Sequence, residues 1–175
     1  MHVCHGELVL SSQKLGNYMK LEAIFTIKNN NLIKIADNST VDPSSLIKET
    51  ISWSTIEMED EIYNEEYLAD LRNKLKAYDE QGIFAVLLPV VDKPLETVEQ
   101  KELFINAFNH TARRIKDCVS VAGFILPSEM LSDTAFIQDF MDTLASKHPQ
   151  YVYFVSKADS EKISAQPVFA SLAVL

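Results

Sequence analysis

The run Ile83-Phe84-Ala85-Val86-Leu87-Leu88-Pro89-Val90 decides the fold. It has almost no polar alternation, so a strand made from it is apolar on both faces. Such strands belong to parallel sheets covered by helices. The flanking sequence agrees. Upstream, Tyr67, Leu68, Leu71, Leu75 and Tyr78 recur at helical spacing. Asn64 can cap that helix, and Glu65 and Glu66 suit the positive end of its dipole. Gly82 fits the left-handed position that ends it. Downstream, Thr97 caps a second helix with Phe104, Ala107, Phe108, Ala112 and Ile115 on its apolar side. Residues 119–126 form the next buried strand, and Ser132 or Asp133 opens a third helix carrying Phe136, Ile137, Phe140 and Leu144. Further outward, residues 50–56 and 151–155 read as strands, 159–165 as a short helix and 167–175 as a last strand. Residues 50–157 thus read β-α-β-α-β-α-β. Right-handed crossovers turn that order into a parallel sheet, either open or part of a (β/α) barrel.

The first third is different. Leu21 to Ile27 alternates, Asn29-Asn30-Asn31 signals a turn, and Leu32 to Ala36 returns, which predicts a β-hairpin. Residues 7–12 add a short β-rich run, and Asp42-Pro43 can open a brief helix. The expected fold is α/β: a parallel sheet of repeated β-α units, partial TIM-barrel-like, preceded by an antiparallel β-hairpin region. The expected division is an N-terminal hairpin region at 1–49, packed on a β/α domain at 50–175.

Composition narrows the function. The 175 residues are 47% hydrophobic and 23% charged, the profile of a globular domain. A formal charge of −9 repels phosphate backbones, so nucleic acid is not an expected partner. No apolar run approaches the ~20 residues of a membrane span, and no membrane is expected. The N-terminus lacks a basic start followed by an apolar stretch, which makes a cytoplasmic location the default. Cys4 and Cys118 are too few for a disulfide scaffold. Cys118 follows a helix C-terminus, where the dipole disfavours a thiolate. His2, Cys4 and His5 are metal-ligand types without a second cluster, so no metal site is expected. No Gly-rich loop follows a strand and no Gly-x-Ser-x-Gly elbow is present. A nucleotide cofactor and a serine nucleophile therefore both lack support. No cofactor is expected, and His110 reads as a surface histidine.

Trp53-Ser54-Thr55-Ile56-Glu57 is followed by Ile62-Tyr63-Asn64-Glu65-Glu66-Tyr67-Leu68, then by Leu71-Arg72, Gly82-Ile83 and Ala85-Val86-Leu87. The series closes with a helix over 108–115 and with Val121-Ala122-Gly123-Phe124-Ile125-Leu126-Pro127-Ser128-Glu129. Over residues 50–157 this resembles the middle of the clan A glycoside hydrolases, the cellulase-like, family 5-type TIM barrels. In that family the last of these strands ends in Asn-Glu-Pro, and its Glu is the acid/base. Here the triplet is Ser128-Glu129-Met130, and Leu88-Pro89-Val90 stands where the family has a His. The resemblance implies a carbohydrate-active domain, degenerate, with Glu129 as proton donor. Retaining hydrolysis needs a second carboxylate about 5–5.5 Å away. The candidate is Glu57, facing Glu129 across the rim, or a carboxylate supplied by another chain; the alternative for Glu57 is a solvated acid in the run 57–61. Trp53 is a candidate sugar platform, with a core position as the alternative, and Ser128 is a second substrate-binding candidate. The competing function is a non-catalytic glycan- or protein-binding or assembly module. A half barrel has open edges. The N-terminal strands are expected to cover one, and a second copy, in a homodimer, the other.

Overall fold

The computed structural model describes residues 21–175. The expectations for residues 7–12 and for His2, Cys4 and His5 lie outside the described residues. The chain opens with β1 (Phe25–Lys28) and β2 (Asn31–Lys34), an antiparallel hairpin. After a 3-10 turn at Pro43–Ser45 come β3 (Ile47–Ser52) and a single helical turn, α1 (Trp53–Ile56). A small hairpin follows, β4 (Glu57–Glu59) with β5 (Ile62–Tyr63). The rest alternates: α2 (Glu65–Gln81), β6 (Ala85–Val90), α3 (Val98–Arg114), β7 (Val121–Ile125), α4 (Thr134–Lys147), β8 (Val152–Val155), α5 (Lys157–Ile163) and β9 (Leu172–Val174). The strands β3-β6-β7-β8-β9 lie side by side in that order, all parallel. This is the expected α/β architecture: a parallel sheet of β-α units with a separate antiparallel hairpin.

The helix ends follow the local chemistry. Asn64 Oδ1 accepts from the Tyr67 amide, and Gly82 takes φ +67° to close α2. Thr97 and Gln100 form a reciprocal capping box on α3. Asp133, not Ser132, caps α4. Two elements differ from expectation. The strand at 50–56 is displaced to Ile47–Ser52, and Trp53 lies on a helical turn, because Trp53 and Ile56 both reach the core from one turn. The last strand shrinks to three residues because Pro167 opens a 3-10 helix through Ser171.

The sheet has two unlike faces. Against the helices it builds a thick aromatic core in which Trp53, Phe104, Phe108, Phe124 and Phe140 are fully buried. Phe104 lies at its centre, edge-on to Trp53 at 5.3 Å and 4.7 Å from Phe108. The opposite face carries smaller residues, Val86, Ala122, Ile125, Val152 and Ala173 with Phe154, and these pack on Phe25 and Leu32 of the N-terminal hairpin. In a closed barrel that face is the lumen. Here a hairpin lies on it. One irregularity sets the two faces: between β6 and β7 the register jumps from Ala85↔Val121 to Val86↔Gly123. The extra residue, Ala122, lets Val121 and Phe124 serve the helix face while Ala122 and Ile125 serve the other. Gly123 is required by close approach, since a Cβ there would stand 1.7 Å from the Val152 carbonyl oxygen.

The hairpin also closes one edge. Asn29 and Asn30 take φ +50° and +59°, the left-handed pair of a two-residue hairpin turn. Asn30 Nδ2 donates to the Phe169 and Leu172 carbonyls at 2.6 and 2.8 Å, and its own carbonyl accepts from the Val174 amide at 3.1 Å. These bonds occupy the outward polar groups of β9, which would otherwise invite another strand. Along β3 no strand pairs with the outer edge among the described residues. No helix among them is long and apolar enough to cross a membrane.

Candidate functional site

In open α/β sheets ligands bind beyond the carboxyl ends of the strands, where loops of differing length leave a crevice. The crevice here is a cleft of about 270 Å³. Its floor is apolar, made by Leu88, Pro89, Val90 and Val91 from the end of β6 and by Ile125, Leu126 and Pro127 from the end of β7. Its polar groups are Lys48, Ser128, Glu129, Ser156 and Asp159. No hairpin residue lines it, so β1 and β2 cover the lower part of their face and leave the strand exits open. A larger groove of about 640 Å³ runs between α2 and α3, but most of its charges are already matched. Arg72 pairs with Asp117, and Arg114 with Glu65.

Glu129 sits where the sequence places it, just past a parallel strand. A 3-10 turn, Ser128–Met130, carries it; Met130 is buried and anchors the turn while Ser128 and Glu129 face water. Both line the cleft.

Glu57 does not join them. It is 0% exposed, neither a solvated acid nor a rim group. Four residues after Trp53, across the single turn of α1, it shares the indole's inward face. Its carboxylate accepts from Trp53 Nε1 at 2.6 Å, from the Glu61 amide at 3.0 Å and from Lys93 Nζ at 3.2 Å. Lys93 also donates to the Glu57 carbonyl at 2.7 Å and lies 5.1 Å over the Trp53 ring. A buried carboxylate persists when its oxygens are filled in this way. The sugar-platform reading of Trp53 is corrected in favour of its core alternative: at 1% exposure, wedged against Phe104, it offers no face to a sugar. Trp53 and Glu57 together form a brace behind the cleft.

Asp92, next to Lys93, completes the brace. It accepts from the Ser54 amide and hydroxyl, tying the exit of β6 to α1. Burial opposes its ionisation, but these hydrogen bonds hold the carboxyl below the usual range. His110 is no surface histidine. Its side chain is 9% exposed and stacks on Tyr63 at 4.0 Å. Nδ1 accepts from Arg113, so Nε2 carries the proton and donates to Glu65 at 2.7 Å. Burial lowers its pKa. Burial likewise pushes the Cys118 thiol up to about 11, with Asp117 adding to the effect, which leaves it a poor nucleophile. No group of three or more metal-ligating side chains gathers among the described residues.

Asp159, like Lys48 and Ser156, lines the cleft without having been singled out by the sequence reading. It reaches the cleft from the first turn of α5. Lys162 Nζ donates to it at 2.6 Å and the Ser156 hydroxyl at 2.8 Å, and these contacts hold its carboxyl below the usual range. Its signal was the capping pattern Ser156-x-x-Asp159 directly after a strand.

No family model matches the chain, and no curated protein matches it. Solved structures do. Endo-glycoceramidase II from a Rhodococcus species, captured as a lactosyl-enzyme intermediate, matches with a TM-score of 0.53 at 14% identity, over 64% of this chain and 41% of that one. A GH5_18 protein from Bifidobacterium longum subsp. infantis matches with a TM-score of 0.51 at 12% identity, over 66% of this chain and 35% of that one. The fold is like part of theirs. At such identities the likeness speaks for the fold alone, a parallel sheet of β-α units like part of a TIM barrel. The chain spans about two fifths of the length of the endo-glycoceramidase and about one third of the GH5_18 protein.

Proposed function

We propose that this chain is a carbohydrate-binding domain on a degenerate glycoside hydrolase scaffold, with the strand-end cleft as its glycan site. The observation that carries the reading is the pairing of an open cleft at the strand exits with an exposed Glu129. Carboxylates and serines around an apolar floor suit a sugar, whose hydroxyls need acceptors and whose ring faces are apolar. Two features favour binding over hydrolysis. A general acid works from a water-excluding apolar pocket, and Glu129 is exposed. Glu57, the expected partner, is consumed by Trp53 and Lys93.

A second reading rests on Asp159. Since it lines the same cleft as Glu129, a two-carboxylate hydrolase keeps a pair to work with. One experiment separates the two. Titration with lactose and with Manβ1-4GlcNAc, the sugars named with the structural neighbours, is followed by NMR shifts at Ser128 and Glu129, beside hydrolysis of aryl glycosides. Binding without turnover supports the first reading. Turnover abolished by Glu129→Gln establishes the second, and absence of both removes the carbohydrate assignment. For assembly the proposal is a homodimer joined along β3. Light scattering that returns a monomer at micromolar concentration ends that part.

A further inference from the structure

We propose that the cleft is built for an acidic glycan, one bearing a carboxylate, and that Lys48 selects it. The inference rests on the carbohydrate reading above. Lys48 is the second residue of β3 and pairs in register with Val86, whose side chain faces away from the helices. Lys48 therefore shares the cleft's face, and it lines the cleft beside Leu88 and Val90. Lysine stems lie along apolar walls while the ammonium stays wet. Among the described residues Lys48 is exposed and makes no ion pair.

The other charges of the cleft are arranged around it. Asp159 is matched by Lys162 at 2.6 Å. Glu129 follows β7, which β6 separates from β3. Two strand spacings of ~4.8 Å separate β3 from β7, and Glu129 lies six residues beyond Gly123, which is level with Lys48, so the cation and the anion stand at opposite ends of the cleft. The lining carries one cation, Lys48, and two anions, Glu129 and Asp159, the second of which is paired with Lys162 outside the lining, so the cleft is close to neutral on a chain of −9. It is a place where an anionic ligand meets little repulsion. A neutral sugar leaves the ammonium unused. A carboxylate on the ring takes a charge-assisted hydrogen bond from it, and the ring hydroxyls turn to Ser128, Glu129 and Ser156.

The test uses matched pairs: cellobiose against cellobiouronic acid, where one CH2OH becomes a carboxylate, and lactose against sialyllactose. Dissociation constants come from NMR titration of the chain and of Lys48→Gln and Lys48→Arg, each checked for an unchanged melting curve. The chain is expected to bind the acidic member of at least one pair about fivefold or more tighter. Lys48→Gln removes that preference, whereas Lys48→Arg keeps it. Equal binding of acidic and neutral sugars, or a preference that survives Lys48→Gln, overturns the proposal and leaves the carbohydrate reading standing. Binding of neither sugar type overturns both.

Discussion

The two faces of the five-stranded sheet solve the same problem by different means. The helix face is sealed by three long amphipathic helices and large rings, from Trp53 at one end to Phe140 at the other. The opposite face is sealed by a two-stranded hairpin on mostly small side chains, and only over its lower part. One face is built to hold the fold together. The other stops short of the strand exits, and that gap is the cleft. Stability and site are thus assigned to opposite sides of one sheet.

That contrast can be broken by measurement. The largest effect is expected at the centre of the helix face: Phe104→Ala leaves a cavity that rigid neighbours cannot fill, costing about 3–5 kcal/mol in urea unfolding. On the hairpin face, Leu32→Ala costs about 2–3 kcal/mol, since a hairpin relaxes more readily than a helix layer. It also raises ANS fluorescence, because the face it uncovers is apolar. If Leu32→Ala proves the more damaging, the assignment of stability to the helix side is wrong. The two glutamates sharpen the comparison. Glu57→Ala strands the Trp53 donor and a partly wetted Lys93, for about 2 kcal/mol. Glu129→Ala, free of contacts, stays within about 0.5 kcal/mol. Equal losses would place Glu129 in the structural framework.

The smallest expected effect is in acid. Asp79 accepts from the Ser120 amide at 2.6 Å and from Lys76 Nζ at 3.0 Å, fastening the end of α2 to the start of β7. Burial opposes ionisation, yet these bonds hold its carboxyl below the unfolded value. The stability it adds is therefore present above about pH 4 and lost as pH falls through the lower, folded pKa. Asp79→Asn should flatten the decline of the urea midpoint between about pH 6 and about pH 3.

Much of this architecture was legible because it is local. The unalternating run at 83–90 gave away a covered strand, and Asn64, Gly82 and Thr97 marked helix ends through bonds spanning a few residues. The place of Glu129 beside the cleft was legible, since it follows a parallel strand directly. What escaped depends on distant partners. Nothing near Glu57 announces that Lys93 will reach it, so an acid in the run 57–61 looked solvated. The added residue at Ala122 only becomes visible against β6. Lys48 reads as an ordinary strand lysine until the lining of the cleft is seen to reach back to it.

Asn30 has a consequence for how the molecule comes apart. Its side chain reaches a carbonyl 142 residues later in the chain, so the earliest described element fastens the last. Neither the hairpin nor β9 can fray without releasing the other, and local opening at either end is tied to the loss of both. Proteolytic nicking at either terminal element should therefore rise and fall together, and heating should give a single sharp transition in place of stepwise peeling.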